Sequence, residues 1–394
     1  MASEAILIGV DGGASEVRAH EVVILPRTSL LEAPVFGLGA ASASRLYDPA
    51  RGFRPLPLPS QLLAFERGKV EPAGIERAQG RLWVESAAEV ILAVAAQARA
   101  SRARVGVCMP GIKTPDGRGL AVVRHGPRIP DYAEKLEAAL AAGGLGLAQP
   151  ISRLSSDGEA CAHGEQSSAQ GNLRSSGSAY YVGGGTGIAE ALKIDGAIVG
   201  FDALRGFLRK AWQIEAGGGR TVEDLLSPRG MNAAYAQAAR KKLPLEVDAF
   251  PERRAAQGDA KARAILSRAA DALADLVLDR MLALRRGLAG AQPRIPANTV
   301  LERVVVGQRL GQILADPAHF EVFRDPAEEA LRQKIVATGD GALKKHYVTD
   351  AGLRPGLLVA SLLRAAPAIG AAAFEVLEPA GAPESARAIA PPPF

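Results

Sequence analysis

Three short stretches of the 394-residue chain carry residue types that could do chemistry. Asp11-Gly12-Gly13-Ala14-Ser15 closes the apolar run Ala5 to Val10, and Gly183-Gly184-Gly185-Thr186-Gly187 closes the run Ser178 to Val182. A glycine-rich turn between strands lets backbone N–H groups approach an anion with no side chain in the way. Asp11, at the exit of its strand, is placed to hold a hydrated Mg²⁺ through water, and the Thr186 hydroxyl to donate to a phosphate oxygen. Either turn alone is an ordinary hairpin turn; two that open the same strand pattern point to one anion-holding device used twice. The third stretch is Leu154-Ser155-Ser156-Asp157-Gly158-Glu159-Ala160. Spacing alone favours Asp157 as a helix N-cap, and the alternative is a base that takes the proton of a hydroxyl attacking a phosphoryl group.

The elements that would position these residues follow from short-range pattern. Ala5 to Val10 and Glu16 to Ile24 are expected as a strand hairpin, and Arg104 to Met109 as a buried strand stopped by Pro110-Gly111. Residues 26–80 hold seven prolines, among them Pro26, Pro34 and Pro72, and are expected to be loop-rich with short strands; they stand open as a substrate lid or a dimer contact. Helices are expected over Ser86 to Ala100, Tyr132 to Ala142 and Asp157 to Glu165, with a strand at Ile151 to Leu154. Ile188 to Ile194 resumes as a strand after the second glycine turn, with Asp195-Gly196 turning the next hairpin. The later half is helix-rich, with Asp259 to Gly287 periodic throughout. Val304 to Val306 is a strand turned at Gly307-Gln308-Arg309-Leu310-Gly311 into a helix, Ala365 to Phe374 is a small-residue helix, and the terminal APPPF is expected to be disordered.

Composition removes whole classes. The chain is long enough for two domains, and 48% hydrophobic with 23% charged residues is a folded mix. A net charge of +5, spread along the chain, and 5% aromatics argue against a nucleic-acid surface. Two cysteines, Cys108 and Cys161, make no disulfide framework, and no Cys/His spacing matches a metal site. Cys108, inside an apolar strand, reads as core. No run is long and apolar enough to span a membrane, and the first residues lack the basic start of a signal peptide. The expected compartment is the cytoplasm. Trp212 is either packing or a sugar-stacking platform, and Arg205, Arg209 and Arg220 read as a solvated face.

Taken in order, these pieces resemble the ROK (repressor, open reading frame, kinase) sugar kinases of the actin-like ATPase superfamily. Ile8 to Ser15 resembles the first phosphate loop, Val105 to Gly111 the strand and Pro-Gly turn before the sugar site, and Ser156 to Ala160 with Gly164-Glu165 the stretch holding the catalytic base. Gly185 to Ile188, followed by Asp195-Gly196 and Gly200, resembles the second phosphate loop. Glu223 to Met231 resembles the segment from which a Glu reaches the sugar. Val304 to Gly311 resembles the adenosine motif, and Ser361 with Gly370-Ala371-Ala372 the closing helix.

The resemblance implies an α/β, two-domain actin-like ATPase (ribonuclease H-like) fold with an interdomain cleft. Its domains would be residues 1–153, completed by a C-terminal helix over 370–394, and residues 154–369. It implies phosphoryl transfer from ATP with Mg²⁺ to a sugar or polyol hydroxyl. Asp157 would be the base and Asp11 would position the metal through water. Gly12, Gly13, Ser15, Gly185, Thr186, Gly187, Gly307 and Gln308 would hold the nucleotide, and Gly111, Ser156, Glu165 and Glu223 the acceptor.

Departures from the pattern bear on the acceptor. Ser156 stands where the family has Asn, and no Glu-x-Gly-His motif occurs between 200 and 215, which leaves Gln213 and Glu215 as candidates for that position. Ala216-Gly217-Gly218-Gly219-Arg220 replaces the cysteine-rich loop, so no zinc site is expected. The second loop continues as Ala189-Glu190-Ala191 in place of glycines. A hexose, an amino sugar or a cyclitol all remain open, as does a homodimer. The alternative function is a non-catalytic sugar or nucleotide sensor; a strand beginning at Ala5 leaves no expected place for the helix-turn-helix of the family's repressors.

Overall fold

The computed structural model describes residues 5–26, 33–48, 50, 52–240 and 250–377. Contacts divide the chain into two compact units, one running to residue 174 and resuming at 365, the other covering 175–364. Each has its own apolar core.

The first unit contains β1 (Ile6–Gly12), β2 (Glu16–Ile24), β3 (Phe36–Leu46), α1 (Leu58–Glu66), α2 (Gly74–Gln97), β4 (Arg102–Cys108), β5 (Ile112–Lys113), β6 (Leu120–Val122), α3 (Tyr132–Ala142), β7 (Gly146–Leu147), β8 (Leu154–Ser155) and α4 (Asp157–Ser167). Its main sheet runs β3-β2-β1-β4-β7, and β8 also pairs with β4. β1 and β2 are antiparallel, as are β2 and β3, whereas β1 with β4 and β4 with β8 are parallel. Strand alternation sends Ile8, Val10, Val105 and Val107 into one core with Trp83 and Ile91 of α2 and Leu136 of α3. Cys108 points the other way, clustering with Ala160 of α4 and Ala371 of the C-terminal helix Ala366–Leu377. These two helices meet through glycine: a Cβ on Gly370 would lie 1.8 Å from the Ala160 carbonyl oxygen, and one on Gly164 would lie 2.1 Å from that of Ala366.

The second unit contains β9 (Ala179–Gly184), β10 (Ile188–Ile194), β11 (Ala197–Gly200), α5 (Val222–Leu226), α6 (Pro228–Ala238), α7 (Pro251–Ala256), α8 (Ala260–Arg286), β12 (Arg303–Gly307), α9 (Gln308–Ala315), α10 (Arg324–Ala337), α11 (Gly341–Tyr347), β13 (Val348–Thr349), β14 (Gly352–Leu353) and β15 (Leu358–Ala360). Its main sheet runs β11-β10-β9-β12-β15. The two sheets are wired alike: a central strand, two antiparallel strands following it by hairpins on one side, and parallel strands on the other. α8 buries Leu266, Leu273, Val277, Met281 and Leu284 at helical spacing. Its N-cap Asp259 accepts from the N–H groups of Lys261 and Ala262, and its C-cap Gly287 is left-handed at φ 78°.

Three expectations change. Residues 26–80 are not loop-rich throughout: they hold the 11-residue strand β3, helix α1 and the start of α2, which begins at Gly74 and not at Ser86. β3 (FGLGAASASRL) has little intrinsic strand preference, and its pairing with β2 imposes the conformation. The early turns of α2 are anchored by Glu76, whose carboxylate accepts from the buried Arg128 guanidinium at 2.7 Å. The boundary expected at 153/154 lies at 174/175, because β8 pairs with β4 and α4 packs on the C-terminal helix; Asp157 therefore belongs to the first unit. The C-terminal helix is described to Leu377, and residues 378–394, with the APPPF tail, lie outside the described residues.

Candidate functional site

In the first unit the parallel register Asp11↔Cys108 and Cys108↔Ser155 aligns the C-terminal ends of β1, β4 and β8. Neighbouring strands lie ~4.8 Å apart, so the backbones of Asp11 and Ser155 are separated by about 10 Å. Asp157 follows two residues later as the first residue of α4. Ser156, not Asp157, is the N-cap: its Oγ accepts from the Glu159 N–H at 3.3 Å. The Asp157 carboxylate accepts from the Gly158 N–H at 2.9 Å, at the helix end whose dipole favours negative charge.

The Asp11 carboxyl is pushed up to about 6, chiefly by burial. Arg18, opposite it on β2, opposes the shift, and the charges of Asp157 and Glu16 add to it. No described protein group donates a hydrogen bond to this carboxylate. A half-buried carboxylate without donors, beside a second one, suits a hydrated divalent cation. Among the described residues no three His, Cys, Asp or Glu converge as a direct metal cage. Gly13 spends its N–H on the Glu16 carbonyl at 2.8 Å, whereas the N–H groups of Ala14 and Ser15 meet no acceptor among the described residues. Loop position is set by β3's end, where Tyr47 N–H donates to the Ser15 carbonyl at 2.9 Å.

The second unit repeats the turn. Gly185, Thr186 and Gly187 join β9 to β10, with the Gly185 N–H donating to the Gly187 carbonyl at 3.0 Å. Thr186 and Gly187 present N–H groups with no acceptor among the described residues. Gln308 begins α9 in the left-handed region at φ 57°, bridges Gly184, and sets its side chain against Gly183 and Gly185. Gly307 pairs with Gly183 across β12 and β9. The unit thus brings Gly185, Thr186, Gly187, Gly307 and Gln308 together at one strand edge.

The expected acceptor residues scatter. Gly111, at φ 92°, packs its Cα against the Val122 carbonyl in the turn after β4. Ser156 is committed to capping. Glu165 is fully buried, accepts from the Asn172 N–H at 2.8 Å, and braces the following loop; eight residues along α4, it stands about 12 Å from Asp157 along the helix axis. Glu223 is drawn into the second glycine turn, where it accepts from the Ile188 N–H at 2.9 Å; a Cβ on Gly187 would sit 2.8 Å from its Oε2. Gln213 is exposed and accepts from the Lys210 N–H. Glu215 lines a cavity of about 650 Å³ with Arg220, Asp271 and Asp275, and no residue of the glycine turn lines it.

Sequence reading missed Lys113. Its Nζ donates to the carbonyls of Met109 at 2.7 Å and Gly111 at 2.8 Å, and its charge acts on the Cys108 thiol together with those of Asp11 and Asp157. A lysine two residues beyond the Pro-Gly turn was the available signal. Cys108 is fully buried with its thiol pushed well up by burial, as a core residue.

No family model and no curated protein matches the chain. Solved structures do. The ROK hexokinase from Thermus thermophilus matches at TM-score 0.55 and 19% identity, over 95% of this chain and 98% of that one. A ROK family glucokinase from Streptomyces griseus, in complex with glucose and AMPPNP, matches at 0.56 and 15%, over 93% and 98%. A ROK family transcriptional regulator, a homolog of the E. coli MLC protein, matches at 0.54 and 11%, over 94% of this chain and 78% of that one. Kinases and regulators share this architecture, so it does not choose between them. The chain has the α/β fold of the ROK sugar kinases, a fold of the actin-like ATPase type.

Proposed function

We propose that this protein is an ATP-dependent carbohydrate kinase whose acceptor is a hydroxyl of a hexose, amino sugar, cyclitol or similar polyol. The observation that carries the proposal is the convergence of Asp11 and Asp157 at one edge of the first unit's sheet, with a donor-bearing glycine turn following Asp11. The glucose and AMPPNP of the S. griseus glucokinase give a chemical precedent for the ligands.

In this reading Asp157 accepts the proton of the acceptor hydroxyl as its oxygen bonds to the γ-phosphorus and the bond to ADP breaks. The N–H groups of Ala14, Ser15, Thr186 and Gly187 hold phosphate oxygens, with Gly12, Gly13 and Gly185 shaping the turns. Gly307 and Gln308 admit the adenosine. Asp11 would hold a bound Mg²⁺ through water, and the ion would supply charge neutralisation at the phosphates. Most of the work is positioning, since phosphoryl transfer asks little covalent chemistry of the protein. Gly111, in the turn after β4, and Ser156, beside Asp157 in the chain and still able to donate its hydroxyl proton while its Oγ caps α4, are the acceptor contacts in this reading, whereas Glu165 and Glu223 serve the loops they brace.

The competing reading is a non-catalytic sensor, favoured by the carboxylate of Glu223 behind the second turn. A screen of ADP release across hexoses, amino sugars and cyclitols separates the two. In the active case Asp157→Asn keeps the fold and nucleotide binding while turnover falls ~10²-fold or more. Undiminished turnover removes Asp157 from the role.

A further inference from the structure

Within the second unit, the start of α6 is fastened to the second glycine turn. The Arg229 N–H donates to the Gly185 carbonyl at 3.4 Å. Pro228, the first residue of α6, packs so close that a Cβ on Gly184 would lie 3.1 Å from its Cδ. Ser227 caps this helix end by accepting from the Gly230 N–H at 3.0 Å. Residue 229 is therefore held at the turn by its backbone, which leaves its side chain with no part in that contact.

The side chain is an arginine, half-buried, and its guanidinium makes no hydrogen bond or ion pair among the described residues. Other arginines of the unit are engaged: Arg280 with Glu190, Arg285 with Asp340, and Arg309, which follows Gln308, with Glu252 at 3.0 Å. The Cα–Cβ bonds of a helix tilt toward its N-terminus, so the Arg229 arm leaves α6 toward the end that abuts the turn. Thr186 and Gly187, whose N–H groups meet no acceptor among the described residues, lie at most about 7 Å beyond Gly185 along the chain. That is a distance the arm covers. A counter-charge is also needed there. Glu223 is 6% exposed and its carboxylate sits against Gly187, so an anion on the turn meets a negative charge behind it.

We infer that Arg229 is a phosphate-binding residue of the second turn: its guanidinium pairs with oxygens of a nucleotide's phosphate tail seated on the Thr186 and Gly187 N–H groups. The identity of the anion rests on the proposed function. The planar fork suits two phosphate oxygens at once. Its charge offsets Glu223 and supports the negative charge of the transferring phosphoryl group.

Nucleotide binding tests this with or without turnover. AMPPNP with Mg²⁺, and separately adenosine, are titrated against the whole protein and the affinities read by ligand-detected NMR. Arg229→Gln binds AMPPNP at least ~10-fold more weakly than wild type, while its adenosine affinity stays within about twofold. Arg229→Lys, which keeps the charge and loses the fork, falls between the two. If Arg229→Gln fails to fold by circular dichroism, Arg229→Lys carries the test, with a loss of at least ~3-fold in AMPPNP affinity expected. Unchanged AMPPNP affinity overturns the contact and leaves the kinase reading standing wherever wild type phosphorylates a sugar. AMPPNP and adenosine weakened alike also overturns it, because a displaced turn would disturb the whole nucleotide site. If wild type binds AMPPNP but phosphorylates no acceptor, the proposed function fails and the affinities still judge Arg229. If wild type binds neither ligand, both fail.

Discussion

Asp11 lies half-buried at the end of β1 with Asp157 in electrostatic reach, and its carboxyl is pushed from the ordinary 3.8 to about 6 by burial more than by that neighbour. The sign of the consequence follows from linkage. Between these two values the folded protein binds more protons than the unfolded chain, so this group's contribution to stability falls as pH rises from 4 to 6 and stays unfavourable above it. Asp11→Asn should therefore stabilise the metal-free protein by about 2 kcal/mol at pH 7.5 and hardly at all at pH 4. Thermal melts at both values check this, alongside a loss of Mg²⁺-dependent turnover. An equal shift at the two pH values would remove ionisation of Asp11 as the cause. Asp11 and Asp157 were legible because each closes an apolar strand beside small residues. Glu165 and Glu223 stood out in the same way, because a carboxylate that braces a loop and one that binds a ligand look the same in sequence. Only the structure adds the donors they meet, the Asn172 N–H for Glu165 and the Ile188 N–H for Glu223.

At the scale of elements, both glycine-turn hairpins were legible from alternation and punctuation, whereas β3 was not. A Gly/Ala/Ser strand carries no signal of its own and is set by the ladder to β2. Helix packing was equally hidden. α4 and the C-terminal helix approach closely enough that Gly164 and Gly370 admit no side chain, with backbone oxygens at 2.1 and 1.8 Å from the would-be Cβ atoms. Overpacking against backbone cannot be relieved by a rotamer change. Gly370→Ala should cost at least about 3 kcal/mol in denaturant unfolding of the first unit, even though alanine favours helices over glycine. A stability equal to or above wild type would show that the helices can move apart freely.

For the whole molecule, two cores in one chain mean that stability is not a single quantity. The helix Ala366–Leu377 lies far along the chain from β1, yet buries Ile369, Ala371 and Phe374 within the first unit. A chain ended at residue 364 should lose hydrogen-exchange protection through β1, β4 and α4, while α8 of the second unit keeps its protection. Loss of protection in α8 first would contradict this division. From its sequence alone the protein is determined as an α/β chain with one strand-and-glycine-turn device used twice and an Asp beyond a short strand, since periodicity and turn residues are local properties. That the last helix completes the first unit was expected from the resemblance, whereas tertiary structure alone decided that Asp157 shares a sheet edge with Asp11 and that Glu190 finds Arg280 across 90 residues. Those are contacts between distant segments, and side-chain burial and strand register, which select them, are settled only when the cores close.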